Sequence, residues 1–448
     1  MDMKKAGCLV CSEDNVRRRN FLKAGSLSLL GMSLSQYFEL KSLMAATGET
    51  VGKKAKAQAC ILLWLEGGPT HVDTWDPKPN SSFRPISTNV PGIQISELLP
   101  RVAKNMDKLA IIRSMHTEQI DHPQGQHYAI TGHNPNAAMQ FPSLGSIISK
   151  EVGPRGVFPP YVQVARMHPV YQAYFRSAFL GPNFDPMVVP DPSQKNFEVP
   201  DLSLPKTLTP ERVEDRRSFQ RVVDHLFRQK EEIAEYSNMD SFTEQALKII
   251  LSPSVKKAFD LSLETDKTKD AYGRHSFGQS VLLARRLVEG GCRFVTAAGW
   301  KFNEWDQCHK SNDMFMRDTL VPRLDQALGA LVEDLDQRGL LESTVVIAMG
   351  EFGRTPHVNP DNGRDHWPHC WSLVLGGGGI KGGQVVGASD AKGAQVAEKI
   401  VSIGDVFATI YDAFGINWEK EYMTPTGRPI KIANAIGDKT GSLISELV

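Results

Sequence analysis

The chain has 448 residues, 51 of them basic and 51 acidic, and 41% are hydrophobic. That is enough apolar material for a large buried core, which excludes a disordered or collagen-like chain. Balanced charge offers no field for nucleic acid, and no apolar run reaches the roughly eighteen residues of a spanning helix, so neither a nucleic-acid partner nor stable membrane insertion is expected.

The first feature in chain order is a leader over residues 1–46. Arg17-Arg18-Arg19-Asn20-Phe21-Leu22-Lys23 precedes a mildly apolar stretch from Ala24 to Phe38, and Ser42-Leu43-Met44-Ala45-Ala46 closes it. A basic start, a short apolar middle and small residues at the end read as an export signal. The paired arginines point to the twin-arginine route, and so to a periplasmic or otherwise exported protein. Cys8 and Cys11 leave with the leader. Cys60, Cys292, Cys308 and Cys370 remain, and in an oxidising compartment they permit two disulfides in any of three pairings.

Beyond the leader, short β-branched and aliphatic runs bounded by turn residues predict buried strands. They are Ile61–Leu65, Leu109–Ile112, Tyr161–Ala165, Arg293–Ala297, Thr344–Met349 and Ser372–Leu375. Helical patterns lie between them. Thr209-Pro210 caps one that runs through Val222 and Leu226; a second spans Phe277 to Val288. In a third, leucines 320, 324, 328, 331 and 335 form one stripe with Gly339 placed to end it. The alternation predicts an α/β fold, a mostly parallel central sheet with helices on both faces. Residues 166–206 are rich in proline and asparagine and read as an irregular excursion over the sheet edge or a lid. The glycines 376–379 read as a turn after a strand.

Polar clusters recur after these strands, at the edge where an open parallel sheet binds ligands. They include Glu66 to Asp76, Ser114 to His127, Trp305 to His309, and Gly350 to His369. Eight of the 12 histidines fall there, at 71, 116, 122, 127, 309, 357, 366 and 369. Imidazole beside carboxylate suits a divalent metal ion, the transition metals zinc or manganese first and calcium or magnesium second. Arg354 follows a Gly-x-Gly turn and could fork onto an anionic ester oxygen; a salt bridge to Glu351 or Asp365 is its plainer role. Thr70, Ser114 and Thr117 are hydroxyls more typical of turns and caps, and Asp325, Asp334 and Asp336 read as a solvated helix face.

Several motifs together carry a resemblance. Gly67 to Pro79 (Gly-Gly-Pro-Thr-His-Val-Asp-Thr-Trp-Asp-Pro-Lys-Pro) is one; Tyr272-Gly273 with Phe277-Gly278-Gln279 and Leu283 to Glu289 are others. Gly350-Glu351-Phe352-Gly353-Arg354-Thr355-Pro356 and Gly363-Arg364-Asp365-His366-Trp367 complete the set. The chain resembles the family catalogued as domain of unknown function 1501, over about residues 58–445, which would form a single domain. That family is similar in fold to the alkaline phosphatase and sulfatase superfamily, whose members hydrolyse or transfer phosphate and sulfate esters on divalent metals. The resemblance implies Asp73, Asp306, His309, Glu351, Asp365 and His366 as metal ligands, with Glu351-Phe352 standing where the superfamily has aspartate and histidine. No Cys-x-Pro-x-Arg motif exists. The nucleophile position is matched by His122, with Asp121 before it, and either could attack, act as base or hold a metal. The expected function is an exported metal-dependent hydrolase of small anionic esters or of sulfated or phosphorylated glycans. The alternative is a non-catalytic exported protein that binds an extracellular glycan or a protein partner.

Overall fold

The computed structural model describes residues 55–199, 202 and 246–448. The expected leader and the helix through Val222 and Leu226 lie outside the described residues. Ala55 to Val448 forms one compact unit.

An eight-stranded sheet organises the described chain. Its strands are β1 (Ala59–Trp64), β2 (Leu109–Met115), β3 (Tyr161–Val164), β4 (Met187–Val189), β5 (Phe294–Ala297), β6 (Thr344–Met349), β7 (Trp371–Gly376) and β8 (Gln384–Val386). They lie in the order β8-β2-β7-β6-β1-β5-β3-β4. Every neighbouring pair is parallel except those made by β7, which runs antiparallel to both β2 and β6. The mostly parallel α/β architecture expected from the sequence is the one observed. The six anticipated strands are present; β4 and β8 are additional. Both are three-residue edge strands, too short to show a period. β4 lies inside the stretch expected to be irregular and pairs with β3.

Alternation along β1 sorts the core into two layers. Ile61 and Leu63 face α3 (Ser276–Gly290) and α4 (Val321–Gln337). Cys60, Leu62 and Trp64 face α1 (His122–Thr131), α2 (Leu144–Val152) and α5 (Ile403–Ala413). β1 is buried along its whole length, as a strand covered on both faces must be. The helix ends follow local chemistry. Ser402 and Asp405 make a reciprocal capping box on α5, Ser143 caps α2, and Gly339 ends the leucine stripe at φ 67°. Asp325 is not solvated as expected: it is buried and accepts from the Arg101 and Val102 amides. Cys60, Cys292, Cys308 and Cys370 are all buried and unpaired, so the two permitted disulfides do not form.

Candidate metal centre at the carboxyl edge of the sheet

Four segments leave the carboxyl edge of the sheet and meet there. β1 is followed by the turn Glu66-Gly67-Gly68, and Gly67 takes a φ of 116°. A side chain at Gly67 would put its Cβ 2.5 Å from the Asp306 amide, so glycine lets the short helical turn Glu304–His309 settle on the strand end. Gly363 plays the same part from the other side: a Cβ there would meet the His309 carbonyl carbon at 2.1 Å. This packing presents Asp306 and His309 to the ribbon formed by Gly353–Arg354 and His366–Trp367, which follows β6. α1, which follows β2, delivers His122 at its first position.

The hub is one oxygen of Asp306. His122 Nε2 lies 3.0 Å from Oδ1, His366 Nε2 3.0 Å and His309 Nε2 3.1 Å. Arg354 Nη2 donates to the same oxygen at 2.7 Å. Each imidazole is held from behind by its other nitrogen. His122 Nδ1 meets Glu351 Oε1 at 2.6 Å, His309 Nδ1 meets Asp365 Oδ1 at 3.0 Å, and His366 Nδ1 meets the Ile120 carbonyl at 2.6 Å. A carbonyl or carboxylate oxygen only accepts, so each Nδ1 carries the proton. In the neutral ring that leaves all three Nε2 lone pairs aimed at a carboxylate oxygen.

Such a set repels itself unless positive charge enters it. Protons supply this only in part. Burial opposes charge on His122, but the neighbouring carboxylates of Asp306 and Glu351 outweigh burial and lift it to about 9. His309 moves the other way, lowered by burial and by the Arg354 guanidinium. Burial opposes ionisation of Asp306 as well, yet His122, His366 and Arg354 hold its carboxyl far below the usual range. His122 Nε2 is moreover buried and not aligned for a hydrogen bond. A divalent cation answers all of these demands at once, and the donor set of imidazoles plus carboxylate fits one. Atoms offered by His122, Asp306 and His366 lie within 4.8 Å of one another, forming the candidate metal site, with His309 adjoining through Asp306.

The anticipated residues therefore divide. Asp306, His309 and His366 come together. His122, for which attack, base catalysis and metal binding all stood open, joins them with its Nε2 among the candidate ligand atoms. Glu351 and Asp365 sit one layer out, each binding a histidine Nδ1; Glu351 also accepts from the Gly67 amide. Arg354 is fully buried and its donors are spent on Gly67, Gly68 and Arg364 carbonyls and on Asp306, so it positions Asp306 and leaves no fork for an ester. Asp73 is placed elsewhere: Arg364, Ser81, Thr70 and Asn312 all donate to its buried carboxylate. Asp121 is exposed at the N-cap of α1, and its carboxylate makes no bond to the cluster.

Three further residues line the centre without having been singled out. Glu66 is buried and accepts from the Asn303 amide at 3.0 Å; burial, with Glu351 nearby, pushes it up to about 7. Gln126, fully buried one turn along from His122, reaches toward Glu351 at 3.5 Å and Asn303 at 3.4 Å. Glu66 opens one of the polar clusters after the predicted strands and Gln126 lies inside another, so position alone pointed to both; Asn303 had no signal.

The family model described as "Protein of unknown function (DUF1501)" matches residues 57–444. None of the curated proteins matches the chain. Among solved structures, the chain is similar to the PsFucS1 sulfatase from Pseudoalteromonas sp., with 15% identity over 91% of this chain and 76% of that one and a TM-score of 0.36. It is similar to a protein in the alkaline phosphatase superfamily from Vibrio parahaemolyticus, with 14% identity over 82% and 67% and a TM-score of 0.39. A third is the alkaline phosphatase from the Antarctic bacterium TAB5, with 9% identity over 81% and 99% and a TM-score of 0.39.

Proposed function

This chain belongs to the family described as Protein of unknown function (DUF1501), and from the chemistry of its own site we propose that it is a metal-dependent hydrolase of phosphate or sulfate esters. The observation that carries the reading is the meeting of three imidazole Nε2 atoms on one oxygen of Asp306, each ring locked through its Nδ1. Zinc or manganese suits this set better than calcium or magnesium, which favour oxygen shells. When bound, such an ion would supply Lewis acidity to an ester oxygen and acidify a water molecule.

The chain's own work is orientation. Glu351, Asp365 and the Ile120 carbonyl each fix a tautomer, the usual second layer of a histidine metal site. Arg354 fixes the Asp306 carboxylate. Among the described residues, no hydroxyl or thiol is hydrogen-bonded to His122, Asp306, His309 or His366, so water is the attacking group we assign. The same observation favours the second reading, a non-catalytic protein that keeps the metal and binds an extracellular glycan or partner. Export by the twin-arginine route belongs to the proposal and rests on the Arg17 to Lys23 run.

Metal analysis of purified protein tests it, beside Asp306→Asn and His366→Ala. About one equivalent of transition metal lost in both variants, with 4-nitrophenyl phosphate or sulfate hydrolysed by the parent alone, supports the hydrolase. Metal without hydrolysis of any ester leaves the binding reading. Folded protein prepared without chelators and free of metal overturns both.

A further inference from the structure

Beside the centre stands a group of aromatic side chains that the ester chemistry does not use. Asn303 turns the chain at φ 45°; its amide binds Glu66, and its side chain donates to the Tyr171 hydroxyl at 3.3 Å. The segment that delivers Asp306 thereby also fixes Phe302, one residue before Asn303. Phe302 is a large apolar side chain left 57% exposed. Its ring stacks on buried Tyr171, with centroids 5.3 Å apart and planes 19° from parallel, and His168 lies against it at 4.5 Å. Tyr171 in turn meets Tyr174, which packs edge-on to His127 of α1. The ring is held from beneath and from one side, and its remaining face meets solvent.

A rigid exposed aromatic face next to a reaction centre marks a binding surface. A pyranose ring is the chemical match, since it offers a face of C–H groups to an aromatic ring and a rim of hydroxyls to polar neighbours. Charge narrows the class. Lys301 directly precedes Phe302 and Arg166 lies two residues before His168; both are exposed, and neither side chain makes an ion pair among the described residues. We propose that Phe302, backed by Tyr171 and flanked by His168, binds a sugar ring of an anionic glycan whose ester reaches the metal centre. This rests on the hydrolase reading and names its substrate. Contacts to such a non-reacting ring lend binding energy to the reacting group.

The test is binding of metal-loaded and metal-stripped protein to an array of sulfated, phosphorylated and neutral oligosaccharides, with Phe302→Ala and Phe302→Trp alongside. Thermal unfolding and metal content establish that each variant is intact. The expected result is binding to anionic members, weakened about tenfold by Phe302→Ala, the size of one lost aromatic contact, and retained by Phe302→Trp. Binding confined to neutral sugars, binding to none, or equal binding by Phe302→Ala overturns the proposal. If glycan binding depends on Phe302 while the protein holds no metal, the hydrolase reading fails and the aromatic subsite stands as a binding site.

Discussion

At the start of α1, His122 lies between the carboxylates of Asp306 and Glu351. Just past the helix end, His133 lies flat on Phe141, with ring centroids 4.2 Å apart and planes 5° from parallel, and its Nε2 meets the Lys431 carbonyl. Both rings are buried. Yet His122 is lifted to about 9, and His133, pulled by burial, falls to about 4. Burial alone drives an imidazole toward neutrality; only carboxylates at bonding distance reverse it. The contrast separates a ring that carboxylates hold toward its charged form from one that is packed as an aromatic. It also says what to look for in a histidine-rich sequence: carboxylates that the fold brings to the ring.

The strongest way to break the contrast is to remove the hub. Asp306→Asn keeps the shape but not the charge, so metal content should fall to background and ester hydrolysis with it, while His133→Gln keeps both. Metal retained by Asp306→Asn would place the ion elsewhere. Next in size is Asp73→Ala, which sharpens the contrast between a buried carboxylate of the centre and one outside it. Asp73 holds the fully buried Arg364 guanidinium, and stranding that charge should cost on the order of 3–5 kcal/mol in denaturant unfolding. Folded Asp73→Ala should nevertheless bind metal at parental stoichiometry; lost stoichiometry would return Asp73 to the ligand set.

A smaller effect is expected from Glu351→Gln. The amide still reaches His122 Nδ1, but it no longer enforces the tautomer that leaves Nε2 free. Loss of an outer-layer partner of this kind lowers metal affinity about 10–100-fold, to be read by competition with a chromophoric chelator. Complete loss of metal would instead make Glu351 a direct ligand, as the resemblance implied.

Much of the fold could be read from residues 57–444, because strands buried on both faces are continuously apolar and the leucine stripe of α4 has one period. The two edge strands were missed because three residues show no period. Of the eight histidines flagged by position, three reach the centre. His71 instead binds the Gly393 carbonyl, His127 the His133 carbonyl and His116 the His369 carbonyl. Sequence spacing locates a histidine near the carboxyl edge; it does not say which way the ring points. Arg354 shows the same limit from the cationic side. Its Gly-x-Gly turn was visible, but the carbonyls of Gly67 and Gly68 that take up its donors belong to the turn after β1, nearly three hundred residues earlier. Glu351 and Asp365 were one atom layer from their expected role, a distinction that only the facing nitrogen decides.

The smallest effect tests the apolar end of the contrast. His133 has a folded pKa of about 4, below the ordinary 6.5, so the unfolded chain takes up the proton first as pH falls. Stability from this residue is therefore full at neutral pH and is lost as pH drops from about 6.5 toward 4, roughly 2 kcal/mol of it by about pH 5. His133→Gln can still donate to the Lys431 carbonyl but has no proton to gain. Denaturant unfolding of both proteins at several pH values isolates the effect, because titrating groups remote from His133, His122 included, cancel in the difference. The parent should lose stability relative to His133→Gln on acidification. A difference that stays flat with pH would mean that His133 ionises freely in the folded protein, and that stacking on Phe141 does not hold it neutral.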